Sequence, residues 1–196
     1  MKQLKMYLLP EIAVPDFPAP EGYSFSTCRT EEDMRAWAEC CRNGSLMDDN
    51  ADDLKAFGDA ILSRPEIVPE RDVFFLDYEG KHIATATCYI NSEEEGDLHM
   101  VGMLPEFRGK GLSKYILRKA LCHLNGSAVK FIHLTTDEFR RAAIRSYLDF
   151  GFLPVDYDED MKCRWEQVLY DLGVKSTLML NDDGTFRGVI YPVKHE

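Results

Sequence analysis

A short turn that contains glycines and basic residues, Arg108–Ser113, carries the residue types best suited to chemistry in this sequence. It lies between an apolar stretch and a helical pattern. The first turn of a helix presents unpaired backbone N–H groups and the positive end of the helix dipole. Gly109 and Gly111 have no Cβ atoms, so a ligand can approach the backbone closely. Together with the charges of Arg108 and Lys110, this turn predicts an anion site that suits a phosphate or a pyrophosphate.

Two common phosphate-binding patterns do not fit this turn. The P-loop pattern G-x-x-x-x-G-K-[ST] is absent, and Lys114 stands where the dinucleotide-binding pattern G-x-G-x-x-G requires its third glycine. Taken alone, the turn is also compatible with a structural connection between a strand and a helix, with two solvated basic side chains. An unrelated α/β protein whose glycine turn binds another phosphate ligand, such as ATP or NAD, is a further interpretation.

The surroundings of the turn resemble motif A of the GNAT acetyltransferases. The pattern Arg108-x-x-Gly111-x-Ser113 follows an apolar strand and Pro105. The family pattern is Arg or Gln, two residues, Gly, one residue, then Gly or Ala. Ser113 departs from the last position of that pattern, although it is also a small residue.

A second segment further along the chain resembles another motif of the same family. Residues 143–152 (A-I-x-x-Y-x-x-x-G-F) match it and include Tyr147, with Arg140 where the family usually has Asn. The wider segment FRRAAIRSYLDFGF is similar to mycothiol-synthase-like members of the family. The resemblance covers roughly residues 23 to 155.

The resemblance implies acetyl-CoA as a cosubstrate and no metal. The pyrophosphate of coenzyme A would bind the amides of the turn, and the strand before the turn would splay from the strand that starts near Phe131. Unpaired backbone groups of the motif A strand would bind the pantetheine arm and polarise the thioester carbonyl. The residues that would bind the cosubstrate are Val101, Met103, Arg108, Gly109, Lys110, Gly111, Leu112, Ser113 and Arg140.

The resemblance implies that Tyr147 is the catalytic acid. A phenol with a pKa near 10 is protonated at neutral pH, so it can give a proton to a leaving thiolate whose pKa is near 8.5. Ala143 lies one helical turn before Tyr147 on the same apolar face. A core aromatic residue is therefore the alternative interpretation of Tyr147.

The general base is predicted on the motif A strand, where we place His99 ahead of Asp97. An amine acceptor is protonated at neutral pH, so a basic group must remove its proton. The alternation of a strand puts both side chains on the same face as Val101 and Met103, and histidine has a suitable intrinsic pKa. The alternatives are a half-buried structural histidine and an aspartate that starts a strand.

Arg140 and Arg141 open the helix that carries Tyr147, where a positive charge is unfavourable with respect to the helix dipole. A contact from Arg140 to the phosphates of coenzyme A would explain this placement. An ion pair with Asp137 or Glu138 would explain it equally well.

The elements that must position these residues follow the order β-α-α-β-β-β-α-β-α-β, followed by a C-terminal helix and hairpin. An antiparallel meander with one βαβ crossover predicts an α/β (α+β) fold. The predicted fold is a single domain with a mixed, mostly antiparallel twisted sheet flanked by helices. The GNAT family has the same order of strands and helices along the chain. We divide the chain into an extended leader that runs over the surface (1–22), an acyl-CoA-binding core (23–155) and an appendage packed on that core (156–196).

Composition narrows the classes of partner. Lys and Arg total 23 against 34 Asp and Glu, a formal net charge of −11, so nucleic acid and anionic membranes are disfavoured as partners. No apolar run reaches the roughly 18 residues of a transmembrane helix, and the first residues make a poor signal peptide. The six cysteines include no CxxC pair and no zinc-site spacing, which predicts free thiols in a cytoplasmic protein.

The sequence therefore predicts an N-acetyltransferase that moves an acetyl group from acetyl-CoA to a primary amine of a small-molecule acceptor. The amine would attack the thioester directly, and Tyr147 would protonate the thiolate of coenzyme A. A non-catalytic acyl-CoA sensor of the same fold is one alternative, and an acetyltransferase acting on protein Lys residues or N-termini is another. An exposed C-terminal hairpin leaves a homodimer open.

Overall fold

The computed structural model describes residues 2–14, 18–44, 46–124 and 127–195. Their strands, in chain order, are β1 (Leu4–Leu8), β2 (Tyr23–Thr27), β3 (Val73–Tyr78), β4 (Lys81–Ile90), β5 (Glu95–Met103), β6 (Phe131–Thr136), β7 (Leu153–Asp156), β8 (Thr177–Asn181) and β9 (Phe186–Ile190). The α-helices are α1 (Glu31–Asn43), α2 (Asp53–Phe57), α3 (Pro69–Asp72), α4 (Ser113–His123), α5 (Arg141–Asp149) and α6 (Met161–Leu172). Contacts divide the chain into two compact units, Val14–Ser127 and a unit that combines Met1–Ala13 with Ala128–Glu196.

Strands β2, β3, β4 and β5 form an antiparallel meander in the unit Val14–Ser127. A two-residue turn joins β3 to β4, and in it Glu79 and Gly80 have φ of 49° and 78°. Positive φ at both positions is the geometry of a type I′ turn, whose twist matches that of the flanking strands. The meander predicted from the sequence is confirmed.

Helix α1 packs on this meander and begins with a capping box. Thr30 Oγ1 accepts a hydrogen bond from the Asp33 N–H, and the Asp33 carboxylate accepts one from the Thr30 N–H. Both orphan donors of the helix start are thereby satisfied. The core between this helix and the sheet consists of Cys28, Trp37, Ala38, Cys41, Phe57, Ile61, Ile67, Val73, Phe75 and Tyr89.

A bulge interrupts β5 and changes which of its side chains share a face. Thr87 of β4 pairs with His99, and Thr85 pairs with Gly102, so Met100 and Val101 together lie opposite one residue of β4. Met100 has φ of 53°, a left-handed conformation that is rare for a side chain of this size. A bulge adds one residue and so reverses the alternation beyond it.

The prediction that the four motif A side chains share one face is wrong. Asp97 pairs with Tyr89 and His99 with Thr87, which are on one face of β4, whereas Met103 pairs with Ala84 on the other. The bulge, which has no clear signal in the local sequence, is the physical reason.

A π-helix (Gly58–Leu62) continues α2, in the region where the sequence predicts one regular helix. Its last turn is closed by the Ser63 N–H, which donates to the Gly58 carbonyl at 2.9 Å. Insertions of this kind are rare and often lie next to functional sites. Arg64 lies two residues after the last residue of this π-helix.

The unit that combines Met1–Ala13 with Ala128–Glu196 has the strand order β6-β1-β7-β8-β9. β1 is antiparallel to β6 and β7, β7 is parallel to β8, and β8 is antiparallel to β9. The rings of Tyr7 and Phe131 stack with centroids 3.8 Å apart, and Val155 and Leu180 complete their cluster.

The prediction of a surface leader is wrong for Leu4–Leu8, because these residues form strand β1 between β6 and β7. Leu4 and Met6 are completely buried. The prolines that follow this run are compatible with a strand that ends before them, as β1 does. Residues 1 and 15–17 of the predicted leader lie outside the described residues, and the boundaries 1–22, 23–155 and 156–196 remain a prediction.

The predicted C-terminal helix and hairpin are confirmed as α6 and β8–β9. Helix α6 ends at Gly173, which has φ of 65°, the left-handed C-terminal position that glycine favours. The mixed, mostly antiparallel α/β class predicted from the sequence is confirmed as well.

Candidate active site

The glycine turn connects β5 to α4 through one turn of 3-10 helix, Pro105–Phe107. Gly109 and Gly111 have φ of 73° and 69°, which side chains rarely adopt. A Cβ atom on either glycine would meet no other atom within 4 Å. Glycine is therefore needed at both positions for the positive φ of the backbone and not for close packing. The space beside both glycines is open to a ligand.

Helix α4 starts without a capping side chain, as α5 and α6 also do, whereas α1 and α2 are capped. Its first turn contains no acidic residue, and Leu112 at the N-cap provides no side-chain hydrogen bond. By contrast, Thr30 caps α1 and Asp52 caps α2 with side-chain oxygens, and both helices have acidic residues in their first turns. The start of α4 keeps a positive dipole end beside Lys110 and Lys114, as an anion site requires.

Arg108 attaches this turn to the protein backbone. Its Nε and Nη2 donate to the Met103 carbonyl at 3.1 and 2.8 Å, and Nη2 also donates to the Asn43 carbonyl. The guanidinium thus joins the end of β5, the end of α1 and the turn. Lys110 Nζ lies 5.2 Å from the centroid of the Phe107 ring, so its ammonium group lies over an aromatic face beside the turn.

Asp97 and His99 lie on the face of β5 that packs towards α1, where Tyr89 is their neighbour. The Tyr89 hydroxyl lies 3.4 Å from Asp97 Oδ2, and Arg64 Nη1 donates to the same hydroxyl at 3.2 Å. The rings of Tyr89 and His99 meet edge to face with centroids 6.5 Å apart. The structure therefore brings both predicted bases beside one buried tyrosine.

Sequence reasoning missed Arg64 and Tyr89 as functional candidates. Tyr89 was detectable in part, because the predicted meander sets it opposite the start of β5. Arg64 gave no signal, since its contact depends on where the π-helix ends.

Tyr147 and Arg140 belong to the other unit. Tyr147 on α5 is 7% exposed, and its ring contacts Phe152 edge to face at 5.9 Å. Burial raises the pKa of Tyr147 to about 12, and the charge of Arg140 opposes part of this rise. The phenol is therefore protonated throughout the neutral range, as a proton donor must be.

Arg140 is the N-cap residue of α5 and forms an ion pair with Asp137, its Nε donating to Oδ2 at 3.0 Å. The ion pair between Arg140 and Asp137, one of the two explanations given for this placement from the sequence, is therefore present. Glu138 is paired with Arg164, and Arg141 is paired with Asp171. A contact from Arg140 to coenzyme A stays a prediction.

The described residues contain no group of three or more His, Cys, Asp and Glu side chains arranged to hold a metal ion. All six cysteines are free, as the sequence predicts, and four of them are buried. Within the described ranges, the helices are too short or too polar to span a bilayer.

Comparison with known proteins places the fold in a family. The profile of the Acetyltransferase (GNAT) family matches residues 26–152. A mycothiol acetyltransferase from Streptomyces griseus subsp. griseus is 29% identical over 168 residues, which are 81% of this chain and 52% of that protein. Another from Streptomyces coelicolor is 28% identical over 162 residues, 78% of this chain and 49% of that one. The chain spans about half the length of the curated relatives it matches.

A solved structure shares the fold at low sequence identity. The GCN5-related N-acetyltransferase from Sphaerobacter thermophilus superposes with a TM-score of 0.59 at 17% identity, over 77% of this chain and 47% of that one. The family profile covers well over half of the 196 residues, including both segments that resemble family motifs. The chain therefore belongs to the GNAT acetyltransferase family.

Proposed function

We propose that this chain transfers an acetyl group from acetyl-CoA to the primary amine of a small-molecule acceptor. Membership of the GNAT family supports acetyl transfer. The single observation that carries the proposal is the pair of positive-φ glycines, Gly109 and Gly111, directly before the uncapped start of α4. Helices α5 and α6 also start without a capping side chain, but no such glycine turn leads to them. The turn that leads to α4 contains two glycines beside open space, so a pyrophosphate can reach the backbone amides.

Acetyl-CoA supplies the acyl group already activated as a thioester. In this proposal the amides of Gly109–Ser113, with Arg140, hold the phosphates. Backbone groups of Val101 and Met103 hold the pantetheine arm and polarise the thioester carbonyl. Positioning and polarisation then provide most of the rate, and no acyl-enzyme is needed.

The two proton transfers belong to side chains. His99 or Asp97 takes a proton from the protonated amine, which frees the nitrogen lone pair to bond to the carbonyl carbon, and the second N–H proton then passes to solvent. Tyr147 gives its proton to the sulfur as the C–S bond breaks, and solvent restores it. The raised pKa of Tyr147 keeps the phenol protonated at neutral pH, so its proton is available to the sulfur, and it also makes this phenol a weaker acid than an exposed tyrosine.

A cationic amine is the acceptor class that the charge of the chain favours. The formal net charge of −11 attracts positively charged small molecules and repels nucleic acid and anionic membranes. Amino sugars, polyamines and amino acids are members of this class. Free cysteines support a cytoplasmic location, where thiols stay reduced.

Ligand-induced thermal shift tests the coenzyme A site. A ligand that binds only the folded protein raises its stability by RT ln(1 + [L]/Kd). We expect acetyl-CoA and coenzyme A, but not ATP or NAD, to raise the Tm of the wild type. The variant Gly111→Asp adds a carboxylate at the helix start and should abolish this shift. Gly80→Asp is the matched control, because Gly80 also has positive φ and open space but lies in the β3–β4 turn.

Three results would oppose the proposal. Stabilisation by ATP or NAD alone would favour a different phosphate ligand. An unchanged acetyl-CoA shift in Gly111→Asp would remove the turn from the site. Acetyl-CoA binding without release of coenzyme A on a broad amine panel would favour a non-catalytic sensor.

A further inference from the structure

Arg64, Tyr89 and Asp97 form a row of hydrogen bonds that the motifs of the family do not include. Arg64 Nη1 lies 3.2 Å from the Tyr89 hydroxyl, and that hydroxyl lies 3.4 Å from Asp97 Oδ2. The second of these hydrogen bonds is the longer one. Arg64 is exposed, whereas Tyr89 is 1% exposed. The row thus leads from the surface to a predicted catalytic base.

The direction of these hydrogen bonds is fixed by the groups themselves. A guanidinium donates and cannot accept, and an ionised carboxylate accepts and cannot donate. The Tyr89 oxygen must therefore accept from Arg64, and its own proton points to Asp97. The phenol stays protonated, because burial and then the charge of Asp97 raise the pKa of Tyr89 to about 12 against the opposing effect of Arg64.

The surroundings hold the tyrosine in place. Tyr89 belongs to the core cluster that includes Trp37, Phe57 and Ile61, and its ring packs among these buried side chains. Tyr89 and Asp97 are also direct cross-strand partners in the β4–β5 pair.

We propose that Arg64 and Tyr89 are positioning residues, which fix the rotation of the Asp97 carboxylate so that one of its oxygens takes the proton of the acceptor amine. This inference rests on the proposed acetyl transfer. Asp97 first takes one proton from the protonated acceptor, which frees the nitrogen lone pair. The nitrogen then bonds to the carbonyl carbon, its second proton passes to solvent, and the C–S bond breaks as the sulfur takes the Tyr147 proton. The Tyr89 proton does not move: the hydroxyl donates to Oδ2 throughout and stabilises the carboxylate before transfer.

The test compares variants that remove one group each. Tyr89→Phe deletes only the hydroxyl, Arg64→Met deletes the donor to it, and Arg64→Lys retains a charged donor. Tyr7→Phe is the matched control, because Tyr7 is a buried tyrosine (2% exposed) whose hydroxyl donates to the Asp182 carbonyl. Release of coenzyme A from acetyl-CoA is followed with spermidine, glucosamine and L-lysine as probe amines, and acetyl-CoA binding is measured by calorimetry.

We expect Tyr89→Phe and Arg64→Met to lower kcat about tenfold, the loss of one oriented hydrogen bond. The Kd for acetyl-CoA should stay within about twofold of wild type, since neither residue belongs to the turn. Arg64→Lys should recover most of the kcat, and Tyr7→Phe should retain all of it. In an Asp97→Asn background, Tyr89→Phe should cause no further loss, because it acts through that carboxylate.

Two results would overturn the positioning role. One is a kcat of Tyr89→Phe equal to that of the wild type. The other is a tenfold loss of kcat that Tyr89→Phe still causes when Asp97 is already Asn. If the wild type binds acetyl-CoA but acetylates none of the three amines, the proposed acceptor class fails. NMR of protein labelled at tyrosine Cζ then decides on the hydrogen-bonded row. The Tyr89 resonance, assigned by its loss in Tyr89→Phe, must move in both Arg64→Met and Asp97→Asn, and an unmoved resonance in either rejects the inference.

Discussion

A Cβ atom on Gly102 would lie 2.6 Å from the carbonyl oxygen of Cys40. Strand β5 and helix α1 are therefore in contact through their backbones at this point. Real Cβ atoms do not approach a backbone oxygen so closely, and neither backbone can yield without moving its whole element. This contact sets the distance between α1 and the strand that carries both predicted bases.

Replacement of Gly102 by alanine should destabilise the protein. Overpacking against rigid surroundings costs about 1–3 kcal/mol, so the urea midpoint of Gly102→Ala should fall clearly. Gly188→Ala in β9 is the control, because a Cβ there meets nothing within 4 Å, and a side chain in a strand reduces the freedom of the unfolded chain. Equal midpoints for the two variants would show that α1 moves freely with respect to β5.

The glycine turn and the helix after it were predictable, because their determinants are local. Positive φ at Gly109 and Gly111 needs glycine, and the apolar periodicity of residues 112–124 defines the helix. The capping residue Thr30 and the acidic first turn of α1 are equally local signals. Such features depend on residues within one or two turns of each other, which a single sequence displays.

The bulge and strand β1 were not predictable for the opposite reason. Met100 adopts φ of 53° at the bulge where the register of β4 and β5 shifts, and no residue type near it signals this conformation. Leu4–Leu8 has partners in β6, more than a hundred residues later in the chain. The contact of Arg64 with Tyr89 also depends on tertiary placement, so the sequence placed Asp97 correctly on a strand but missed what orients it.

The stability of the Val14–Ser127 unit should depend on pH through His82. Burial by itself lowers the pKa of His82, but hydrogen bonds with Asp77 and Asp33 raise it more, so the net change is upward from 6.5. Its Nδ1 lies 2.5 Å from Asp77 Oδ1 and its Nε2 lies 3.0 Å from Asp33 Oδ1. Such a group, whose pKa is higher in the folded than in the unfolded protein, stabilises the folded state. The stabilisation is complete at pH values below the pKa of the unfolded state, and it is lost as pH rises through the pKa of the folded state.

We therefore expect the urea midpoint of the wild type to decrease as pH rises above about 6.5. In His82→Gln this pH-dependent loss should be smaller, because the titrating group is gone. Equilibrium unfolding at several pH values between 6 and 9 measures both proteins. A wild-type midpoint that rises over this range, or the same loss in both proteins, would contradict the role given to His82.

The six thiols should react in three classes. Cys163 is exposed and Cys122 is partly buried, whereas the other four are buried. Burial also raises the pKa of Cys28 and Cys40 to about 12, and the thiolate is the reactive form. Ellman's reagent should label one thiol rapidly and a second more slowly, with the remaining four reacting only after unfolding. Cys163→Ser should lose the rapid phase alone, and rapid labelling of three or more native thiols would be inconsistent with the packed core.

Tyr147→Phe should separate chemistry from binding. Loss of a general acid typically costs about 10²-fold or more, so kcat should fall by that order. The Kd for acetyl-CoA should hardly change, since the predicted pyrophosphate site is the turn Gly109–Ser113. Tyr170→Phe on α6 is the control, because Tyr170 is 47% exposed and has no proposed role.

The pH profile gives Tyr147 a second and independent test. Burial raises its pKa to about 12, so the phenol remains a proton donor well beyond neutrality. The wild type should show no loss of kcat from ionisation of this residue up to about pH 10, and the ratio of wild-type to Tyr147→Phe kcat should be constant over that range. A ratio that collapses between pH 8 and 10 would mean that the phenol ionises there, which a side chain buried to 7% exposure does not permit. If the kcat of Tyr147→Phe equals that of the wild type at every pH, Tyr147 is only a packing residue of α5. Solvent would then protonate the thiolate.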